Sequence, residues 1–282
     1  MGSQEKIKEA LNRIEEGLDA INTDEDWLRF ITFQSSFYNY SFGNTMLIYM
    51  QNPEATYVKG YKAWNKLGRY VKKGETGIAI LAPCFKKKDK EEEDKEDRII
   101  SGFRVAYVFD LAQTDGDDSQ LPVLVKGLSG DEEREKEVYE KIKEYISSRQ
   151  PFEEVRGTAA KGSYSPETGR IRVRSDMDHV QKIKTIIHEY AHCIDFALNP
   201  DKDISRHKRE LIAESGAYIV SLCLGIDTAG YSMGYLNTWL KDRKEMKEIA
   251  DTVQKISLTI ISELAGVLGP AYFGLQEEPE YR

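Results

Sequence analysis

The chain has 282 residues, of which 40% are hydrophobic and 31% are charged, so it can bury a core and still present a hydrated surface. A domain usually takes roughly 100–200 residues, so this length indicates about two domains. The formal net charge of −8 excludes a globally basic nucleic-acid-binding protein, but it leaves room for a local basic patch.

Cysteine usage and the lengths of the apolar runs indicate the compartment. The three cysteines, Cys84, Cys193 and Cys223, form no Cys-x-x-Cys pair, which excludes a cysteine zinc site and a disulfide scaffold. The longest apolar runs fall short of the ~18 residues that a membrane span needs, and the polar N-terminus does not resemble a signal peptide. We therefore expect a cytoplasmic protein with no membrane association.

The first half of the chain mixes predicted helices with predicted strands. Apolar residues at steps of three and four predict an amphipathic helix over 4–22, and residues 60–67 predict a short helix. Two strands are predicted over Ile78–Phe85 and Ile99–Leu111. The segment between them, residues 86–98, is almost entirely charged and is expected to be a solvated loop or a disordered insert.

The second half is mostly helical. Residues 162–174 predict a β-hairpin, because Pro166-Glu-Thr-Gly169 supplies a turn and apolar residues alternate after it. Helices follow over about 177–198 and 207–224, and a last helical stretch runs from about 235 to 267.

The change of pattern near residues 120–130 indicates a domain boundary. We predict an α+β fold class, with a small α+β domain over 1–126 and a mostly helical domain with a short β-hairpin over 127–282. Local periodicity determines the type of each element, whereas the position of the boundary rests on composition alone.

The segment His188-Glu189-Tyr190-Ala191-His192 carries the clearest chemical signal. Side chains four residues apart lie on one helix face, so both imidazoles can bind one ion. Zinc with three protein ligands and an open position lowers the pKa of its bound water to ~7, and a neighbouring carboxylate can accept the water's proton. The motif predicts a zinc-dependent peptidase with Glu189 as catalytic base, whereas the alternative is an amphipathic helix with surface histidines.

A third metal ligand is needed. Asp195 and Leu198 occupy the positions where the metzincin motif has Gly and His, which excludes that class. The next helix carries Glu210 and Glu214 one turn apart. We predict Glu214 as the ligand, because the small residues around it allow two helices to pack closely and a buried carboxylate is costly unless paired or metal-bound. Glu210 is the alternative.

Residues near the motif are candidates for supporting roles. Asp195 follows His192 by three residues and could accept a hydrogen bond from an imidazole N–H, although it could also be a surface acid at the helix C-terminus. Tyr164 and Tyr218 could donate to an oxyanion, whereas plain packing is the alternative for both.

A basic and aromatic segment lies in the first half. Residues 57–88 contain nine Lys or Arg residues and one Glu, a local net charge of 9 − 1 = +8. Cations along a phosphate backbone, with flat rings for bases to stack on, are typical of single-stranded DNA binding. A solvated helix face with core aromatics would look the same. The candidate DNA-binding residues are Lys59, Tyr61, Lys62, Trp64, Lys66, Arg69, Tyr70, Lys72 and Lys73.

Short segments in both halves resemble the ArdC-like antirestriction family. They are Asn44-Thr-Met-Leu-Ile48, Lys73-Gly-Glu-Thr-Gly77, Val108-Phe-Asp110-Leu-Ala-Gln113-Thr114, Tyr164-Ser-Pro166, His188-Glu189-x-x-His192 and Glu210-Leu-Ile-Ala213-Glu214. The resemblance implies a bacterial mobile-element protein with an N-terminal single-stranded-DNA-binding domain and a C-terminal zincin-like metallopeptidase domain. It also implies Glu214 as metal ligand and Glu189 as catalytic base. The chain departs from the family pattern at Asp110, where Asn is usual, and in the long insert 86–98.

These observations predict a zinc metallopeptidase coupled to a single-stranded-DNA-binding domain, serving antirestriction or transfer of a mobile element. Its protein substrate is unknown. One alternative is a non-catalytic DNA-binding antirestriction protein whose metal site is structural. Another is a peptidase of the wider ImmA/IrrE type that cleaves a toxin or repressor without DNA.

Overall fold

The computed structural model describes residues 2–85, 100–119, 121, 127–128, 130–200, 203–226 and 243–273. The predicted insert 86–98 and the first part of the last predicted helix, residues 235–242, lie outside these residues. By its contacts the described chain divides into two units, one formed by 2–20 with 42–121 and the other by 21–41 with the residues beyond 121. The prediction of one continuous domain over 1–126 therefore differs from the structure over residues 21–41.

The first unit combines short helices with strands. Its helices are α1 (Ser3–Ala20), α3 (Phe42–Gln51) and α4 (Tyr61–Lys66). Its strands are β1 (Val58–Gly60), β2 (Arg69–Val71), β3 (Ile78–Phe85), β4 (Ile100–Asp110) and β5 (Thr114–Gly116). β4 lies between β1 and β3 in an antiparallel sheet, and β2 pairs with β5.

The second unit is mainly helical. Its helices are α2 (Asp24–Ser35), α5 (Glu132–Ser147), α6 (His179–Leu198), α7 (Arg206–Cys223) and α8 (Arg243–Leu268). Its strands are β6 (Phe152–Val155), β7 (Gly162–Ser165) and β8 (Arg170–Arg174). The α+β fold class is confirmed.

Helix α2 belongs to the second unit because its aromatic side chains pack there. Thr23 caps its N-terminus by accepting a hydrogen bond from the backbone N–H of Asp26. Trp27 is buried, and its indole N–H donates to the hydroxyl of Ser215 in α7 over 3.0 Å. A boundary drawn from composition could not detect this, because the partners of Trp27 lie nearly two hundred residues along the chain.

The free edge of β3 is covered by side chains of α3 rather than by another strand. The side-chain amide of Asn44 donates to the carbonyl of Leu81 over 2.9 Å and accepts from its N–H over 2.8 Å. Gln51 makes the same pair of bonds to Ala79, each over 2.9 Å. The two side-chain amides bond to residues two positions apart on β3, as a neighbouring strand would. They satisfy backbone N–H and C=O groups that an open sheet edge would leave exposed.

Asp110 holds the end of β4 in place. Its buried carboxylate accepts hydrogen bonds from the backbone N–H groups of Thr56, Tyr57 and Ala112 over 2.7, 3.1 and 2.9 Å. Gln113 closes the turn by accepting from the N–H of Asp110 over 2.9 Å. Asp110, where Asn is usual in the family, therefore has a structural role. Its two carboxylate oxygens accept from three backbone donors.

The predicted β-hairpin of the second half is part of a larger sheet. β7 and β8 pair antiparallel as predicted, with Tyr164 opposite Ile171. β6 adds a parallel strand on the other side of β8, and the sequence analysis did not predict it. Its sequence, Phe152-Glu-Glu-Val155, has only two apolar residues, too few for a recognisable alternation.

Helix α6 lies against this sheet and carries the histidine motif. Asp178 caps the helix by accepting from the N–H of Gln181. Ile183, Ile186 and Ile187 are fully buried, so the N-terminal half of the helix is anchored in the core before the motif begins. No helix among the described residues is long and apolar enough to cross a membrane.

Replacing Asp110 with Ala is expected to lower the free energy of unfolding by about 2–4 kcal/mol, because backbone donors lose a charged acceptor. Asp110→Asn is the matched control, since its amide oxygen can still accept from Thr56 and Tyr57, and its loss should be clearly smaller. Denaturant-induced unfolding measures both. Equal stability of the Ala variant and the wild type would contradict the structural role.

Candidate metal centre and basic surface

Helix α6 places the imidazoles of His188 and His192 side by side. Their ring centroids lie 4.8 Å apart, and the rings are nearly perpendicular at 83°. His192 is buried and His188 is half-buried, so both rings are held in place by their surroundings while a face stays accessible from the cavity. The predicted juxtaposition of the two histidines is therefore present in the structure.

Helix α7 packs against α6 and brings two carboxylates to these rings. A Cβ placed at Gly216 would lie 3.9 Å from the Cβ of Ala191 in α6, an ordinary contact distance, and 3.2 Å from Cγ2 of Ile256 in α8. Two residues before Gly216, Glu214 places its Oε2 2.9 Å from Nδ1 of His188. Glu210, a further turn away, faces both rings.

The two glutamates contact different nitrogens of the pair. Glu210 Oε2 lies 3.5 Å from Nε2 of His188 and 3.5 Å from Nε2 of His192. Donor atoms of these three residues all lie within 4.8 Å of one another. Glu214, in contrast, contacts Nδ1 of His188, which is where a group that orients a metal-binding imidazole would lie. Glu214 as the ligand stays a prediction, and the distances favour Glu210, the alternative named from the sequence.

The donor set fits a divalent transition-metal ion. Two imidazole nitrogens and a carboxylate oxygen are ligands that such ions accept, with zinc and manganese among them. Carboxylates of Glu189, Glu210 and Glu214 surround the rings and supply the negative charge that attracts a cation. The site thus meets the chemical requirement for a metal, and the coarser prediction of a divalent metal is supported.

The carboxylates of the site shift the pKa values of the groups around them. Burial lowers the pKa of His188, but hydrogen bonds to Glu210 and Glu214 outweigh it and raise the pKa to about 10. Hydrogen bonds from His188 and His192 hold the pKa of Glu210 far below its usual range. A positive charge is therefore favoured between the two helices, and a proton on His188 is what a bound cation would replace.

Glu189 lies in a different environment from the other two carboxylates. It is only 7% exposed, and burial raises its pKa. The charges of His188 and His192 act in the opposite direction without cancelling this rise. A carboxylate whose pKa moves towards neutrality is a better proton acceptor and donor than one in water. Its environment fits the predicted role of a general base.

Asp195 does not hold an imidazole, so that expectation is wrong. Its buried carboxylate accepts from the guanidinium of Arg209 over 2.6 Å and from the side-chain amide of Asn199 over 3.0 Å. The same guanidinium lies 3.8 Å from the ring centroid of Phe196. Arg209 is a structural residue of the site that the sequence alone did not identify, because its partner Asp195 lies on another helix.

The two tyrosine candidates occupy different places. Tyr218 is buried, and its hydroxyl is bonded to Thr32 of α2 over 2.9 Å, so it is a packing residue and not an oxyanion donor. Tyr164 does border the cavity beside the histidines, and its hydroxyl contacts the thiol of Cys193. Burial raises the pKa of Tyr164 to about 12, which keeps the phenol protonated and able to donate.

A cavity of about 1110 Å³ opens over the histidines. One wall is β7 with the loop after it, and the other is formed by α6 and the start of α7. Its volume is sufficient for several residues of an extended peptide. The lining residues outside the metal centre include Lys161, Gly162, Ser163, Tyr164, Pro166, Gln181, Lys184, Phe196, Pro200, Ile204, Arg206 and Arg209.

Two of the residues predicted to bind DNA are buried in the first unit, so their predicted role is wrong. Trp64 is fully buried, and its indole N–H donates to the carbonyl of Phe109 over 2.8 Å. Arg69 is 8% exposed, and its guanidinium donates to the hydroxyl and carbonyl of Thr114. Both side chains satisfy hydrogen bonds inside the fold and are unavailable to stack on or pair with nucleic acid.

The remaining candidates lie at the surface of that unit. Tyr61 and Tyr70 are 54% and 55% exposed, and Lys62, Lys66, Lys72 and Lys73 are exposed as well. Lys59 is half-buried, with its ammonium 5.2 Å from the ring centroid of Tyr57. Phe103 and Tyr107 of β4 are also exposed, and the sequence analysis missed them although every second residue of β4 is apolar there.

Comparison with known proteins supports the family resemblance. Residues 3–109 match the family model for the N-terminal domain of anti-restriction factor ArdC. The chain is 24% identical over 309 residues to the uncharacterized protein pXO2-81 of Bacillus anthracis, an alignment that covers 92% of this chain and 51% of the relative. The chain thus spans about half the length of this curated relative.

Two crystal structures of the antirestriction protein ArdC from plasmid R388 share this fold. The metal-free structure has a TM-score of 0.50 and 20% identity, and the match covers 84% of this chain and 87% of that chain. The Mn(II)-bound structure has a TM-score of 0.50 and 20% identity, with 80% and 89% covered. The predicted resemblance to ArdC is confirmed by the match of residues 3–109 and by the shared fold.

Single replacements of Glu210 and Glu214 by Ala will identify the third ligand. Loss of a ligand should abolish stoichiometric metal binding, whereas loss of the residue that orients His188 should weaken it about 10–100-fold. The distances assign the larger effect to Glu210, and the family resemblance assigns it to Glu214. Metal content by mass spectrometry, with titration of Mn²⁺ or Zn²⁺, measures both. Wild-type affinity in both variants would mean that no metal binds between these helices.

Proposed function

We propose that the protein is a divalent-metal-dependent peptidase with an ArdC-like N-terminal domain that binds single-stranded DNA, and that it acts in antirestriction. The observation that supports hydrolysis is the grouping of His188, His192 and two α7 glutamates beside buried Glu189, at the floor of a cavity wide enough for a peptide. The antirestriction role is carried over from the ArdC proteins that the chain resembles.

The residues of the site have separable roles in this reaction. His188, His192 and one α7 glutamate would hold the cation, which when bound supplies Lewis acidity and lowers the pKa of water at the site. Glu189 takes a proton from the attacking water and returns it to the leaving amine, for which its raised pKa is suited. The phenol of Tyr164 stays protonated and borders the cavity, where it can donate to a substrate carbonyl oxygen.

The Arg209–Asp195 pair stabilises the floor of the cavity rather than taking part in proton transfer. Both side chains are buried and bonded to each other, which neutralises two charges that would otherwise compete for substrate or metal. Removing one partner would leave an uncompensated buried charge. Phe196, stacked on the guanidinium, keeps an apolar surface exposed to the cavity beside the histidines.

Glu189→Gln is expected to abolish peptide hydrolysis, a loss of at least about 100-fold in kcat, because the amide cannot accept the proton. The protein should keep its metal content, since Glu189 is not among the proposed ligands. Cleavage of a denatured protein such as casein, with parallel metal analysis, measures both. Full activity of this variant with bound metal would disprove the general-base role.

A second candidate is a non-catalytic antirestriction protein whose DNA-binding unit is sufficient. The match of residues 3–109 to the ArdC N-terminal domain favours it, because that segment contains none of the metal-centre residues. The same Glu189→Gln variant separates the candidates in a restriction assay on incoming plasmid DNA. Protection that survives the substitution supports the second candidate, and protection that is lost with it supports the peptidase.

Binding of single-stranded DNA should depend on the exposed residues of the basic segment and not on the buried ones. Tyr61→Ala is expected to weaken binding by about 1–3 kcal/mol through lost base stacking, whereas Tyr61→Phe should not. Lys62→Ala with Lys73→Ala should reduce the salt dependence of binding, by about 0.7 per lysine in the slope of log K against log salt. Lys136→Ala, in the second unit, is the control.

Fluorescence anisotropy with a labelled oligonucleotide at several salt concentrations measures these effects. Absence of binding at low salt would remove DNA from the proposal and leave the peptidase unaffected. Equal effects of the basic-segment lysines and of Lys136 would show that the attraction is not specific to this surface.

A further inference from the structure

We propose that Gly162 of β7 is a positioning residue that sets the side-chain conformation of Glu189. The inference rests on the proposed function, because it assigns the cause of the geometry of that site's general base. A Cβ placed at Gly162 would lie 2.7 Å from Oε1 of Glu189, which is closer than real Cβ atoms approach an oxygen. The carboxylate therefore occupies the space that any other residue at position 162 would fill.

The requirement for glycine at this position is steric and not conformational. Gly162 lies in an extended strand, pairs with Val173 of β8, and is not among the described glycines with positive φ. Its backbone could be adopted by any residue. Glycine differs from other residues here only in lacking a side chain. Its role therefore follows from the side chains that occupy the space where a Cβ would lie.

Gly162 lies close to Glu189 because strand β7 runs along helix α6. Thr185, Glu189 and Cys193 are four residues apart and share one face of the helix. Gly162 meets the first two, with Thr185 Cγ2 2.5 Å from the placed Cβ, and Tyr164, two residues on, contacts the thiol of Cys193. Alternate strand residues thus match successive turns of the helix, and the smallest residue is opposite the catalytic carboxylate.

The neighbours cannot easily move away from a larger residue. Thr185 is buried, β-branched and held by a hydrogen bond from its hydroxyl to the carbonyl of Gln181 over 2.8 Å. The carbonyl oxygen of Arg172 lies 3.0 Å from the placed Cβ and belongs to the paired strand β8. Glu189, with more rotatable bonds, is the side chain that would be displaced, and its carboxylate would leave the position beside His188.

The metal ligands are not part of this contact. The three atoms nearest the placed Cβ belong to Thr185, Glu189 and Arg172, and none of them belongs to His188, His192, Glu210 or Glu214. Gly162→Ala should therefore separate the placement of the general base from metal binding. Gly266→Ala in α8 is the matched control, because no atom lies within 4 Å of the Cβ placed there and its φ is not positive.

In the hydrolysis assay, Gly162→Ala is made in a Thr185→Ser background, because the Cγ2 methyl of Thr185 lies 2.5 Å from the placed Cβ. Relative to that background it should lower kcat at least about 100-fold, as Glu189→Gln does, with metal content and KM unchanged. Gly266→Ala should keep full activity. A crystal structure of Gly162→Ala should show the Glu189 carboxylate displaced from its position beside His188. Wild-type kcat together with an unmoved carboxylate would overturn the inference.

A stability measurement tests the contact without any peptidase activity. In a Thr185→Ser background, which removes the Cγ2 methyl, Gly162→Ala should lower the Tm when Glu189 is present and should lower it clearly less when Glu189→Ala has removed the carboxylate. An equal Tm shift in both cases would show that Gly162 serves packing alone. If the wild type cleaves no peptide, the proposed function fails, while this Tm comparison and the crystal structure still decide the role of Gly162.

Discussion

The packing of α6 on α7 is the constraint on which the candidate site depends. It brings His188 and His192 to Glu210 and Glu214, and such a group of carboxylates is stable in a partly buried place only if positive charge lies between them. The raised pKa of His188 favours a proton on that imidazole, and a divalent cation would supply more positive charge.

Glutamates of the same centre have pKa values shifted in opposite directions. Glu210 is stabilised as an anion by the imidazoles, whereas Glu189 is buried between α6 and β7 and its pKa is raised. Pairs of acids whose pKa values are moved apart in this way are suited to metal binding on one side and proton transfer on the other. The sheet contributes as much as the helices, since Gly162 of β7 provides the space for Glu189.

In the first unit, several residues of the family-like segments act within the fold. Asn44 satisfies the open edge of β3, Asp110 collects backbone N–H groups at the end of β4, and Trp64 fills the core. Segments of this kind identify a fold because they solve problems of backbone hydrogen bonding, so they need not mark a binding surface. Among the candidate DNA-binding residues, Tyr61 and Lys62 have exposed side chains.

Local patterns in the sequence determined the elements and the chemistry of the motif. Strand β3 begins at Ile78 as predicted, and the spacing of His188 and His192 required one shared face once a helix formed. Only the tertiary structure decided which groups approach that face from elsewhere in the chain. Tertiary packing pairs Asp195 with Arg209 and bonds the hydroxyl of Tyr218 to that of Thr32. It also places the carboxylate of Glu210 beside both imidazoles. Contacts between distant segments depend on packing, and a single sequence carries no periodic signal for them.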